Sequence, residues 1–131
     1  MIPNKPTTTW LAGAFAAAAL AAAGGPSPAR AAEAVSFTLD VLPILQSRCA
    51  SCHSAKGEGY EVSGLDLTTY EGLMKGTKYG PIVVPGDSLT SNLAVLIEGR
   101  AMVQMPHDQR PLLKCQQDII STWVKQGALN N

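Results

Sequence analysis

Cys49-Ala50-Ser51-Cys52-His53 sets two thiols three positions apart, with an imidazole directly after the second. In C-x-x-C-H the thiols can add to the two vinyl groups of a haem while the adjacent imidazole reaches the iron from the same side, so the macrocycle dictates the spacing. With three cysteines and two histidines in 131 residues, a shuffled chain contains this pentapeptide with a probability below about one in a thousand. The motif therefore points to one haem c, attached through Cys49 and Cys52, with His53 on the iron. Two other chemistries share the cysteine spacing. A thioredoxin-like redox pair needs a βαβ setting that this sequence lacks, and a zinc site needs a second ligand pair where only Cys115 and His107 remain.

A second axial ligand has to come from further along the chain, and Met74, Met102, Met105 and His107 are the available donors. Met74 falls in a short helical stretch beside Leu73, where a methionine fills core space. Met105 precedes Pro106 between two predicted helices, and proline restricts the residue before it to extended backbone that can hold a thioether pointing inward. Met105 is the predicted ligand. Met102, three residues earlier, is its competitor, and His107 would give a bis-histidine iron of lower potential. The proximal imidazole needs a carbonyl for its other nitrogen, and the loop carbonyls of Pro81 and Pro85 are the candidates.

The elements that must position these groups read as helices. Phe37 to Arg48 is predicted helical, with Asp40 as N-cap, Pro43 in the first turn and a stripe of Leu42, Leu45 and Cys49. Ser54 to Gly59 has loop composition, and a short helix from Tyr70 to Lys75 follows, introduced by Thr68-x-x-Glu71 and closed by Gly76. Gly80 to Gly86 carries proline near each end and has no partner run, so it is predicted as an extended connection rather than a strand. A third helix, capped by Asp87 or Ser88, is predicted to reach Ile97 with Leu89, Leu93, Leu96 and Ile97 on one face. The last is predicted from Pro111 to Gln126, with Leu112, Cys115, Ile119 and Trp123 on its apolar side, which makes Cys115 a buried, inert thiol. The fold class is all-α, one domain with long loops.

Residues 1–31 read as an export signal: Lys5, an apolar stretch from Trp10 to Ala23, then Ala29-Arg30-Ala31 as a small-x-small cleavage site. The stretch is shorter than the roughly twenty residues that span a bilayer. Cleavage is predicted after Ala31, leaving residues 32–131 as the domain in the periplasm or another exported compartment; membrane attachment follows only if the signal stays on. Without Lys5 and Arg30 the ten basic and ten acidic residues become eight and ten. No basic patch stands out, which excludes nucleic acid as a partner.

Beyond the pentapeptide, the runs V-L-P-I-L-Q-S-R-C-A-S-C-H-S, S-G-L-D-L-T-T, G-P-I-V-V-P-G-D-S, V-Q-M-P-H and I-I-S-T-W-V-K-Q-G-A resemble the class I cytochrome c superfamily, specifically its planctomycete-type domains. The resemblance extends from about Phe37 to Ala128. It implies a cytochrome c fold whose N- and C-terminal helices cross beside the haem, with the methionine of the M-P pair, here Met105, as distal ligand. M-P-H stands here where M-P-P is common in such domains, which puts His107 beside that ligand.

An iron with both axial positions filled by protein has no open site for substrate, which leaves gain and loss of one electron. The expected function is electron carriage between redox protein partners, not enzymatic turnover. The rival readings are a haem-based sensor or enzyme with an open iron, and a subunit docked permanently to a periplasmic oxidoreductase. Lys56, Lys75 and Lys78 are the cations that could contribute to a docking ring.

Overall fold

The computed structural model describes Met1 and residues 33–131, so the export signal predicted over residues 1–31 and its cleavage after Ala31 lie outside the described residues. A π-helical turn, Phe37–Val41, runs directly into α1, Leu42–Arg48. Then come α2 (Glu58–Ser63), α3 (Tyr70–Lys75), α4 (Asn92–Ile97) and α5 (Lys114–Lys125). No β-strand occurs among the described residues, only an isolated bridge between Thr77 and Gly80. The all-α expectation holds. No helix among the described residues is long and apolar enough to cross a membrane.

The first helical segment covers the expected residues, Phe37 to Arg48, but its cap differs from the sequence reading. Ser36 is the N-cap: its hydroxyl accepts from Leu39 N, and the Asp40 carboxylate reaches back to accept from Ser36 N at 2.8 Å. Asp40 thus completes the cap from inside the helix instead of forming it. Pro43 sits in the first turn of α1, where its missing amide costs nothing. The buried stripe is Phe37, Val41, Ile44 and Leu45, while Leu42 and Cys49 are only partly covered.

Trp123 of α5 organises the core. It is 1% exposed, lies 5.5 Å from Phe37 and 6.4 Å from Tyr70 between ring centroids, and donates from Nε1 to Leu129 O. Phe37 and Tyr70 meet edge to face at 5.1 Å. The contact between the first and last helical segments is therefore carried chiefly by the π-turn Phe37–Val41 against α5. Around this centre pack Leu65, Leu67, Leu73, Ile82, Val83, Leu93 and Ile97.

The middle of the chain holds one helix the sequence reading missed and one it overextended. α2 forms where loop composition was expected. α4 begins at Asn92 with Ser91 as N-cap, because Asp87 spends its carboxylate on a separate turn, accepting from Leu89 N, Thr90 N and Thr90 Oγ1. Leu89 is accordingly 73% exposed. The connection from Gly80 to Gly86 is extended, as predicted; Ile82 O accepts from Leu93 N and Gly86 N donates to Val124 O.

α3 runs over the predicted residues, but its cap is Thr69, whose hydroxyl accepts from Gly72 N, while Thr68 turns to Asp66. α5 begins at Lys114 rather than Pro111, with Gln116 Oε1 accepting from Leu113 N at the start. Its buried face is Ile120, Ser121, Trp123 and Val124. Cys115, in the first turn, is exposed, which corrects the expectation of a buried thiol: the stripe was anchored on Leu112, and Leu112 precedes the helix.

Candidate functional site

The chain stays coiled through the motif. Cys49 N donates to Leu45 O, Cys52 N to Cys49 O at 3.1 Å and His53 N to Cys49 O at 2.9 Å. These bonds carry the helical path of α1 one turn further, so Cys49, Cys52 and His53 take i, i+3 and i+4 positions on one side of it. The thiols are free: Cys49 is half-buried and Cys52 exposed. Burial pushes the Cys49 thiol up to about 11, Arg48 pulling the other way.

His53 is held from behind by backbone. Cys52 O accepts from Tyr60 N, and His53 O accepts from Leu67 N at 2.8 Å. A Cβ on Gly57 would stand 2.2 Å from Cys52 O, and one on Gly59 would stand 2.9 Å from His53 Cε1. A side chain at either position would crowd its neighbour, and α2 carries Gly59 against the ring. Burial lowers the His53 pKa from its ordinary value, with the nearby Leu65 backbone partly offsetting the fall. The imidazole is therefore neutral at neutral pH, as an iron ligand has to be. Its Nδ1 finds no partner in the Pro81 or Pro85 carbonyls expected from the sequence. Among the described residues, His53 Nδ1 is the only buried side-chain polar atom with no hydrogen-bond partner.

The four distal candidates separate. Met74 packs against the core inside α3. Met102 stands fully in solvent, and His107 has a side chain 68% exposed, with Nδ1 3.1 Å from Asp108 Oδ2. Met105 is partly buried against the core cluster, and its N–H donates to Leu96 O at the end of α4. The Met105–Pro106 peptide is cis. Arg48, next to Cys49, donates to Arg110 O at 2.6 Å, tying the attachment helix to the loop that carries Met105.

No group of three or more His, Cys, Asp or Glu side chains able to hold a bare metal ion gathers among the described residues, so the zinc alternative lacks its ligand set. Two free thiols at haem spacing, a neutral imidazole on the same side and a thioether held against the core fit a haem as donors.

Residues 49–109 match the family described as Planctomycete cytochrome C. The match supports a planctomycete-type cytochrome c domain over those residues. The matched region takes in the motif, α2 to α4 and Met105; it is shorter than the Phe37 to Ala128 over which the sequence resemblance was drawn. No curated protein and no solved structure matches the chain. A cytochrome c domain implies haem c and haem-based electron transfer, and Cys49 and Cys52 lie inside it. Sequence reasoning missed Gly57, Gly59 and Leu65; the signal available for them was two glycines within six residues of His53.

Proposed function

We propose that this chain is an exported monohaem c-type cytochrome that carries single electrons between redox protein partners and performs no substrate turnover. Cys49 and Cys52 are its attachment points, His53 its proximal ligand and Met105 its distal ligand. When bound, the haem supplies the ferric–ferrous couple. The protein's part is to keep both axial positions occupied and to hold water away with the apolar side chains of the core.

The observation that carries this reading is the contrast within one short loop. Met105 rests against the core, whereas Met102 and His107 stand in water. A thioether favours ferrous iron relative to a second imidazole, so the expected midpoint potential is positive. Lys56, Lys75 and Lys78 are exposed and available for steered, weak association with a donor or acceptor.

Redox titration of the haem-loaded chain, followed by carbon monoxide addition to the ferrous form, tests the proposal. A reversible one-electron wave at positive potential with slow carbon monoxide binding is expected. A strongly negative midpoint, or a carbonyl complex that forms at once at neutral pH, would contradict it.

A further inference from the structure

A helix leaves its last four carbonyls without intrahelical partners, and α4 shows where each one goes. Ala94 O accepts from Glu98 N, and Val95 O from Arg100 N. Leu96 O accepts from Met105 N at 3.0 Å. Ile97 O accepts from the side-chain amide of Gln117, Nε2, at 3.0 Å, and the same nitrogen donates to Leu112 O at 3.2 Å.

Ile97 and Leu112 stand at the two ends of the loop that carries Met105. One amide group on α5, the longest helix among the described residues, thus ties both ends of the loop, and it does so one residue from the carbonyl that receives the Met105 N–H. Gln117 is partly buried, which keeps water from substituting for its two hydrogen bonds at no cost.

We propose that Gln117 is a positioning residue for Met105, closing the loop so that the thioether remains on the iron. The inference rests on the assignment of Met105 as distal ligand. Gln117 makes no hydrogen bond to Met105; it acts through the backbone carbonyls of Ile97 and Leu112. Losing it frees the loop to open more often, and the ferric iron becomes accessible to outside ligands at a higher rate.

The test uses the full chain loaded with haem and reads the rate at which imidazole displaces the distal ligand from the ferric protein. Gln117→Leu is expected to raise that rate about tenfold, the scale of one to two buried hydrogen bonds. Gln117→Glu, whose carboxylate offers no donor at neutral pH, should do the same and serves if the leucine variant does not fold. Tyr70→Phe is the control for a merely structural loss, because it removes a hydrogen bond to Ala128 O far along the chain from the loop; it should leave the rate within about twofold of wild type. An unchanged rate in the Gln117 variants, or an equal rise in Tyr70→Phe, overturns the inference while leaving Met105 in place. A near-infrared ferric thioether band and an imidazole rate that Met105→Ala leaves untouched would overturn both.

Discussion

Gly57→Ala isolates the closest approach at the site. Gly57 has φ −89° and ψ 147°, a conformation open to any residue, so the substitution carries no backbone strain of its own. Its Cβ would stand 2.2 Å from Cys52 O and 2.5 Å from Cys52 C, and relief needs a shift of about 1 Å in backbone. That carbonyl is pinned from the other side by Tyr60 N at 3.0 Å, so moving it also strains or breaks a hydrogen bond. Overpacking costs about 1–3 kcal/mol and the lost bond about 1 more, giving a destabilisation of roughly 2–4 kcal/mol. For a domain of this size that lowers Tm by roughly 10 °C or more. Urea denaturation of the haem-loaded chain measures it, with Gly86→Ala as comparison. Gly86 has φ +87° and open space around its Cβ position, so that variant carries conformational strain alone, about 1–2 kcal/mol. If Gly57→Ala were tolerated as well as Gly86→Ala, the argument from contact with Cys52 would be refuted.

Trp123→Ala should cost about 3–5 kcal/mol, most or all of the stability of so small a domain, and leave little folded protein by circular dichroism; a variant that denatures at the wild-type urea midpoint would contradict its place at the centre of the core. Glu98 is pushed up by partial desolvation but pulled further down by hydrogen bonds from Ser121 and Arg100, so its folded pKa lies below the ordinary 4.5. The ionised group therefore stabilises fully above that value and the contribution disappears as pH falls through the folded pKa. Glu98→Gln should accordingly be less stable than wild type near neutrality, with the gap in urea midpoint narrowing below about pH 4; a constant gap would contradict the linkage. Cys115 should react with iodoacetamide in the native haem-loaded protein, and Cys115→Ser should change stability by no more than about 0.5 kcal/mol; a thiol that reacts only after unfolding would restore the buried reading.

The attachment motif was legible because it is local: the chemistry fixes five consecutive residues and needs no tertiary context. The Tyr70–Lys75 helix was legible for the same reason, since a hydroxyl cap before it and Gly76 after it are written into adjacent positions. α2 was not, because Gly57-Glu58-Gly59 has the composition of a loop; what makes it helical is packing of those glycines against Cys52 and His53, which is tertiary. The sequence offers Asp40 as cap of the first helix and Asp87 or Ser88 as cap of the third. Asp40 instead answers a cap at Ser36, and Asp87 closes a turn before Ser91 takes over. In both cases two cap-forming residues stand within five positions, and their competition is decided by which following residues reach the core. Cys115 misled because helical spacing from Leu112 was extended across a helix start that lies two residues later.

The account stands most directly on the second axial ligand. The near-infrared absorption of the ferric, haem-loaded chain should be recorded for wild type and for Met102→Ala, Met105→Ala and His107→Ala. The thioether-to-iron charge-transfer band is expected in wild type and in the Met102 and His107 variants, and absent in Met105→Ala alone. A band that survives Met105→Ala and vanishes with Met102→Ala, or a wild type with no such band, would contradict the His53/Met105 assignment.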